Sequence, residues 1–292
     1  MTETRTVQTH VLGSGDDAVT YDVRGDLADA TADRPALFLF GSPMDAVGFG
    51  TLAGLVSDRP VVTYDPRGAG RNPTATGEVT PEQHAEDLHR VIEALGVGPV
   101  DVLASSGGAV NALALAAAHP GDVRRVVAHE PPTAAYLPDR EAALAACEDT
   151  KATYLAHGQG RAMAKFIAFV MHDGEVPADW TDRPAPDPAQ FGMSAEDDGA
   201  RDSALFRNMP SCNDYEVDAV ALAALGDRLV IAVGAESGDT MAARGARSVA
   251  EHLGLPVTVF PSNHGGFLGG EYGQQGEPDA FAKRLREVLD EA

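Results

Sequence analysis

Five residues, Ala104-Ser105-Ser106-Gly107-Gly108, limit what this chain can fold into more than any other stretch. Before them runs Val100-Asp101-Val102-Leu103, which fits a short buried strand. After them come Ala109 to Ala118, a helix-prone run that is apolar nearly all round. A strand, a tight turn of small residues and a buried helix form the setting of a nucleophile elbow. In such a turn the apex residue is held in a strained conformation with its side chain exposed. Small residues two before and two after it let strand and helix approach closely. Here these are Ala104, where Gly is usual, and Gly108, with Ser106 at the apex. Placing Ser105 at the apex would put Leu103 in the first small position, which excludes it.

The rest of the chain supplies strands and helices in alternation. Residues 6–12 and 18–24 flank a Gly- and Asp-rich turn and predict an opening antiparallel hairpin. Ala36-Leu37-Phe38-Leu39-Phe40 and Pro60-Val61-Val62-Thr63-Tyr64 are continuous apolar runs, as expected of strands covered on both faces. Thr80-Pro81-Glu82-Gln83 opens a helix with capping-box spacing and Pro at the first helical position. Its apolar face is Ala85, Leu88, Val91, Ile92 and Leu95, and Gly96 ends it. Further strands are expected at 123–130, 228–234 and 256–260. A helix between the last two runs from about Thr240 to Leu253, and a final helix from about Pro278 to Glu291. This alternation predicts an α/β fold with a mostly parallel central sheet flanked by helices.

The segment 133–225 breaks the alternation and reads as a helical insertion between sheet strands. The core is then residues 1–132 and 226–292. Met163, Phe166, Ile167 and Val170 fall at helical spacing within the insertion, and a Pro- and Asp-rich stretch at 173–198 is expected to be its mobile part. Packing onto the core is the default for Phe166, Trp180, Phe191, Phe206 and Met209 taken singly.

Bulk properties narrow the function. A net charge of -22 argues against nucleic acid or an anionic membrane as partner, since both require clustered Lys and Arg. No run of about 18 apolar residues offers a membrane span. Met1 to Val7 carry no apolar signal core, so a cytoplasmic location is expected. Cys147 and Cys212 match no metal or redox spacing and are expected as small buried side chains. Neither a metal cluster nor a dinucleotide-binding loop is expected, and no cofactor.

Acyl transfer by serine needs a base, a carboxylate that orients it, and donors for the oxyanion. In the elbow architecture they follow in the order Ser, acid, His. His264, in the Gly-flanked loop Pro261-Ser262-Asn263-His264-Gly265-Gly266, is the candidate base. His129, at a strand end beside Glu130, is its rival. Three carboxylates compete as the acid, ranked Glu236, Glu130, Asp239. Glu236 follows the strand ending Val233-Gly234. Glu130 ends the strand before the insertion, where it otherwise fixes the entry to Pro131-Pro132. Asp239 reads more simply as the N-cap of the helix at 240. The oxyanion donors are expected to be the backbone N–H groups of Gly107 and Ser42, since Pro43 has none.

On these motifs the chain resembles the α/β-hydrolase fold family along nearly its whole length. The resemblance rests on Phe40-Gly41-Ser42-Pro43, Asp65-Pro66-Arg67-Gly68, the elbow, Gly234-Ala235-Glu236 and Asn263-His264-Gly265. The first is similar to the family's His-Gly-x-Pro turn, with Phe40 in place of His. Asp65 and Arg67 resemble its loop-fixing pair. The family's acid commonly lies three residues beyond the Gly ending its strand, here Ser237, and some members carry it at the end of the strand before the insertion. The insertion resembles the family's cap domain. The resemblance implies a serine hydrolase of a small apolar carboxylic ester or lactone, working through an acyl-enzyme on Ser106. The same triad also serves acyl transfer to another acceptor and C–C, thioester or amide cleavage. A non-catalytic ligand-binding relative is the alternative from a different class.

Overall fold

The structure, a computed structural model, describes residues 6–72 and 77–291. Its strands are β1 (Val7–Leu12), β2 (Val19–Arg24), β3 (Leu37–Phe40), β4 (Val61–Tyr64), β5 (Val100–Ser105), β6 (Val123–His129), β7 (Leu229–Gly234) and β8 (Val257–Phe260). They form one sheet in the order β1-β2-β4-β3-β5-β6-β7-β8. From β4 to β8 every neighbouring pair is parallel, whereas β1 with β2 and β2 with β4 are antiparallel. The expected hairpin is thus the antiparallel edge of a parallel sheet.

The central strands are apolar at nearly every position because each face carries its own helices. The helices are α1 (Gly50–Leu55), α2 (Pro81–Leu95), α3 (Gly107–Ala118), α4 (Arg140–His157), α5 (Gln159–Val170), α6 (Ala204–Asn213), α7 (Ala219–Ala223), α8 (Met241–Leu253) and α9 (Pro278–Asp290). Phe38, Phe40, Val102, Ala128 and Ile231 pack with α2, α3, α7 and α8. The alternate positions Leu37, Leu39, Leu103, Val127 and Ala232 pack with α1 and α9. The period-2 pleat divides each strand between two cores, so both faces select apolar residues.

Local signals hold where backbone chemistry dictates them. Thr80 and Gln83 form the reciprocal capping box on α2, and Gly96 closes that helix in the left-handed conformation. Asp239, by contrast, is not the cap of α8. Thr240 occupies the N-cap position, and Asp239 instead forms an ion pair with Arg247 at 2.9 Å. Asp65 and Arg67 both fix loops, with different partners. Asp65 accepts from the N–H groups of Ala46 and Arg71, and Arg67 grips Asp87 through two nitrogens.

The helical insertion comprises the α4–α6 region. Its base is sewn shut where the chain enters and leaves: the Thr133 hydroxyl donates to the Tyr215 carbonyl, and the Ala134 N–H to that of Asn213. Arg244 of α8 ties it to the core by donating to Asp139, just before α4, and to the Gly174 carbonyl. Short α7 lies against α3 and α8, and Leu222 and Leu225 belong to the sheet's core. The stretch 173–198 contains turns of 3-10 helix at Trp180–Asp182 and Pro188–Phe191. Among the described residues no helix is long and apolar enough to cross a membrane.

Candidate active site

Ser106 stands between β5 and α3 with φ 58° and ψ -133°. This region is costly for a residue with a Cβ and persists only where the surroundings over-determine it. They do so here. The Ser106 N–H donates to the His129 carbonyl of β6, and its own carbonyl accepts from Ala109. The flanking residues are buried while Ser106 is partly exposed and lines a cavity of about 620 Å³.

Both glycines after the serine are sterically required. A Cβ on Gly108 would fall 2.6 Å from the Gly41 Cα, and one on Gly107 would fall 2.6 Å from the Ser42 carbonyl oxygen. The turn after β3 therefore lies directly against the start of α3. Gly107, as the first residue of α3, has no intrahelical acceptor for its N–H. Ser42 and Gly107 line the cavity together with Ser106, so both expected oxyanion donors belong to residues at the nucleophile.

His264 lines the same cavity. Its loop turns sharply after β8: Ser262 has φ 65°, Gly265 donates to the Asn263 side chain, and Gly266 donates to the Asn263 carbonyl. Gly234, at the end of β7, makes room for this loop. A Cβ there would fall 2.8 Å from the Asn263 Cα.

The carboxylate that meets His264 is Glu130, not Glu236. Glu130 Oε2 lies 2.6 Å from His264 Nδ1, and its Oε1 accepts from the Gly234 N–H at 2.7 Å. Glu130 is fully buried and has φ 52°. The left-handed backbone turns its side chain across the end of β7 instead of letting it continue along β6. Burial alone would raise its carboxyl. The hydrogen bond from His264 and the imidazoles of His129 and His264 outweigh that and hold it at about 2. Glu236 goes elsewhere because its backbone continues the pairing of β7 with β8. The Ala235 N–H donates to Phe260 and the Glu236 N–H to Ser262, which leaves the Glu236 side chain exposed at the cavity. The signal for Glu130 in the sequence was an acidic residue directly after the run Val126-Val127-Ala128-His129, at the end of a central strand, since a carboxylate buried there requires a partner.

His129 is no rival base. It is fully buried, its Nδ1 lies 3.1 Å from the Ser105 hydroxyl, and its ring packs among Phe260, Phe267 and Phe281. Burial pushes its imidazole down to about 4, so it is neutral at pH 7.

The cap supplies the apolar wall: Phe166, Phe169 and Val170 of α5, Leu205 and Met209 of α6, and Met171 between them. Phe206 and Trp180 do not line the cavity and pack within the cap. Phe206 stacks on Tyr154 with ring centroids 4.7 Å apart, and Trp180 sits against Phe169 and His172. Cys147 is buried as expected, but Cys212 lines the cavity, 3.3 Å from where a Cβ of Gly107 would lie. Burial pushes the Cys212 thiol up to about 12, which keeps it protonated and a poor nucleophile at neutral pH.

One set of metal-capable side chains occurs among the described residues: His89, His119 and Asp122, with ligand atoms within 4.8 Å of one another. It lies at the far end of α3, about 18 Å of helix from Ser106. The two imidazoles face each other in parallel at 3.8 Å, and Asp122 and Glu86 already engage one nitrogen of each. Lone pairs in parallel ring planes do not converge on a shared ion.

A strained serine at a strand–helix turn thus lines the same cavity as a carboxylate-bound histidine, with Ser42 and Gly107 beside it. A family model described as the alpha/beta hydrolase fold matches residues 48–236. The chain belongs to the alpha/beta hydrolase fold family. A protein of Bacillus subtilis (strain 168), named uncharacterized hydrolase YraK, is 27% identical over 277 residues, covering 93% of this chain and 92% of its own. Among solved structures, the enol-lactonase from Burkholderia xenovorans matches with a TM-score of 0.64 at 20% identity, over 93% of this chain and 96% of its own. A thermophilic esterase from Thermogutta terrifontis matches with a TM-score of 0.64 at 17% identity, over 97% and 98%. At these identities the likeness to both structures is one of fold.

Proposed function

We propose that the protein is a serine hydrolase of small, largely apolar carboxylic esters or lactones, with Ser106 as nucleophile, His264 as base and Glu130 as the orienting acid. The observation that carries this reading is the 2.6 Å contact between His264 Nδ1 and the buried Glu130 carboxylate, in a cavity that Ser106 also lines. A carboxylate at Nδ1 holds the proton on that nitrogen and leaves Nε2 with its lone pair for the serine hydroxyl.

The chemistry runs in two halves. Ser106 Oγ attacks the substrate carbonyl carbon while His264 Nε2 takes the hydroxyl proton. Charge gathers on the carbonyl oxygen, which the N–H groups of Gly107 and Ser42 receive, aided by the positive end of α3. His264 returns the proton to the leaving alcohol, and the acyl group stays on Ser106. Water, deprotonated by the same imidazole, then releases the acid. Glu130 stays ionised throughout and stabilises the imidazolium in both halves. The apolar wall of α5 and α6 accommodates the hydrocarbon part of the substrate, consistent with an acyl chain or lactone ring. The likeness of fold to an enol-lactonase and an esterase supports the same class of substrate.

The test is a panel of esters of graded acyl length, alongside lactones, run with labelling by a fluorophosphonate probe. Turnover and labelling of the wild-type protein, both lost in Ser106→Ala with the fold intact, support the reading. Turnover that survives Ser106→Ala defeats it.

A further inference from the structure

The cavity that holds Ser106 is charged on one side only. Among the described residues lining it there is no Lys or Arg, and apart from His264 the one ionisable charge is Glu236. The Glu236 side chain is exposed, and among the described residues no cation is bonded to it. The two nearest arginines of α8 are already committed. Arg247 binds Asp239 at 2.9 Å and the Gly238 carbonyl, and Arg244 is held by Asp139. Asp173 adds a further carboxylate to this rim, with its Oδ1 accepting the Asp239 N–H at 2.7 Å. The N-terminus of α8 points here and carries about half a positive charge, but three carboxylates stand around it. Phe166 and Phe169 add aromatic surface to the same cavity, which also favours a cation.

We propose that Glu236 is a specificity-determining residue, and that the preferred substrates are esters carrying an ammonium group, followed by neutral esters, with carboxylate-bearing esters disfavoured. This rests on the serine-hydrolase reading above. An anionic substrate would have to lose its hydration in a cavity that offers it no cation, facing a like charge at the rim. A cationic substrate meets a carboxylate that is free to pair with it and that is not consumed by catalysis, because Glu130 fills the acid's place. The net charge of -22 draws cations toward the whole surface, and Glu236 turns that general attraction into selection at the reacting centre.

The experiment uses three fluorophosphonates matched in reactive group and alkyl chain, ending in trimethylammonium, tert-butyl or carboxylate. The readout is the rate at which each labels Ser106 in the full chain, at low ionic strength and at about 0.5 M salt. The cationic probe should label faster than the anionic one by about tenfold or more at low salt. That ratio should shrink severalfold in Glu236→Gln and, by screening, in high salt. Glu236→Lys should invert the order of the two charged probes. Equal rates for the charged probes, or a ratio unchanged by both substitutions, would overturn the inference while leaving the nucleophile in place. If none of the three labels Ser106, the serine-hydrolase reading itself fails, and this inference fails with it.

Discussion

The ends of β6 and β7 are neighbours in the sheet, and each terminates near a glutamate, yet the two carboxylates live in opposite worlds. Glu130 is sealed from water, with its oxygens bonded to His264 and the Gly234 N–H. Glu236 is exposed on the next strand's turn, with its backbone paired to the chain just past β8 and, among the described residues, no cation on its side chain. The difference arises in one backbone angle. Glu130 takes φ 52°, which swings its side chain sideways across β7, whereas the chain at 235–236 continues its strand pairing. A carboxylate can orient an imidazole only if it is held, and being held here requires a strained residue at a strand end.

The sharpest way to break this comparison is to remove what both carboxylates face. Ser106→Ala and His264→Ala should each lower kcat/KM by about four to six orders of magnitude, and the double variant should be little worse than either, since nucleophile and base act as a unit. Near-additive losses in the double variant would mean that the two residues do not work together.

Next in size is the exchange of the acids. Glu130→Gln should cost about 10³- to 10⁴-fold in kcat, because an amide at Nδ1 no longer fixes the tautomer or stabilises the imidazolium. Glu236→Gln should cost less than about tenfold on a neutral ester, since its carboxylate holds no catalytic group. The reverse ranking would return the acid to β7. Asp239→Asn should fall below both, since its partner is Arg247 on the surface.

The β6 end carries a second buried titratable group, and it gives a pH signature that the β7 end lacks. Burial holds both His129 and His84 at about 4, below the ordinary value near 6.5. The unfolded chain therefore binds more protons than the folded one between about pH 4 and 6.5, and stability rises with pH across that window. The contribution is complete above about 6.5 and is lost as the pH falls toward 4, with a slope of at most about 1.4 kcal/mol per pH unit per histidine. The depressed Glu130 carboxyl acts lower: its contribution is present above about 4.3 and lost as the pH falls toward 2. Denaturant melts of His129→Phe, a shape that suits the surrounding phenylalanines, should show the slope between pH 6.5 and 4 reduced by about one proton. An unchanged slope would mean that His129 titrates normally.

Much of this was legible because it is written locally. Elbow, strands, capping box and the Gly96 stop depend on residues close in sequence, and those features stand where the sequence placed them. The settings of Ser106 and His264 were legible for the same reason: a turn of small residues between strand and helix, and a Gly-flanked loop after the last strand, each occur in few structural settings, and both residues line one cavity. The carboxylate that meets His264 was not, because the choice between Glu130 and Glu236 depends on which strand lies beside the histidine loop and on a positive φ at a non-glycine residue, neither of which has a local signature. Asp239 misled in a smaller way, since Asp before a helix is a good cap, and only an arginine eight residues on drew it off. The cap's aromatic residues were legible as apolar and no further. Which of them face the cavity is decided by the packing of α4, α5 and α6 against one another.

That last point yields a prediction about substrate preference rather than rate, and the one that separates cap from core most cleanly. Phe166 lines the cavity and is only partly buried, whereas Phe206 is fully buried against Tyr154 within the cap and does not line the cavity. Phe166→Ala should widen the acyl wall at modest cost to stability. It should shift preference among acyl chain lengths by about 10- to 200-fold at most, the range available to small changes in a hydrophobic pocket. Phe206→Ala should do the opposite. It leaves a cavity among Tyr154, Ala162 and its neighbours, costs about 3–5 kcal/mol in stability, and changes chain-length preference little as long as the protein is folded. Trp180→Ala, which loses contact with Phe169 and His172 but is only partly buried, should fall between them in stability and side with Phe206 in specificity. Chain-length profiles measured beside thermal melts decide the matter. If all three variants shift specificity alike, the cap moves as one body against the pocket. If Phe166 alone does so, the wall of α5 reads the substrate directly and the interior of the cap only holds it there.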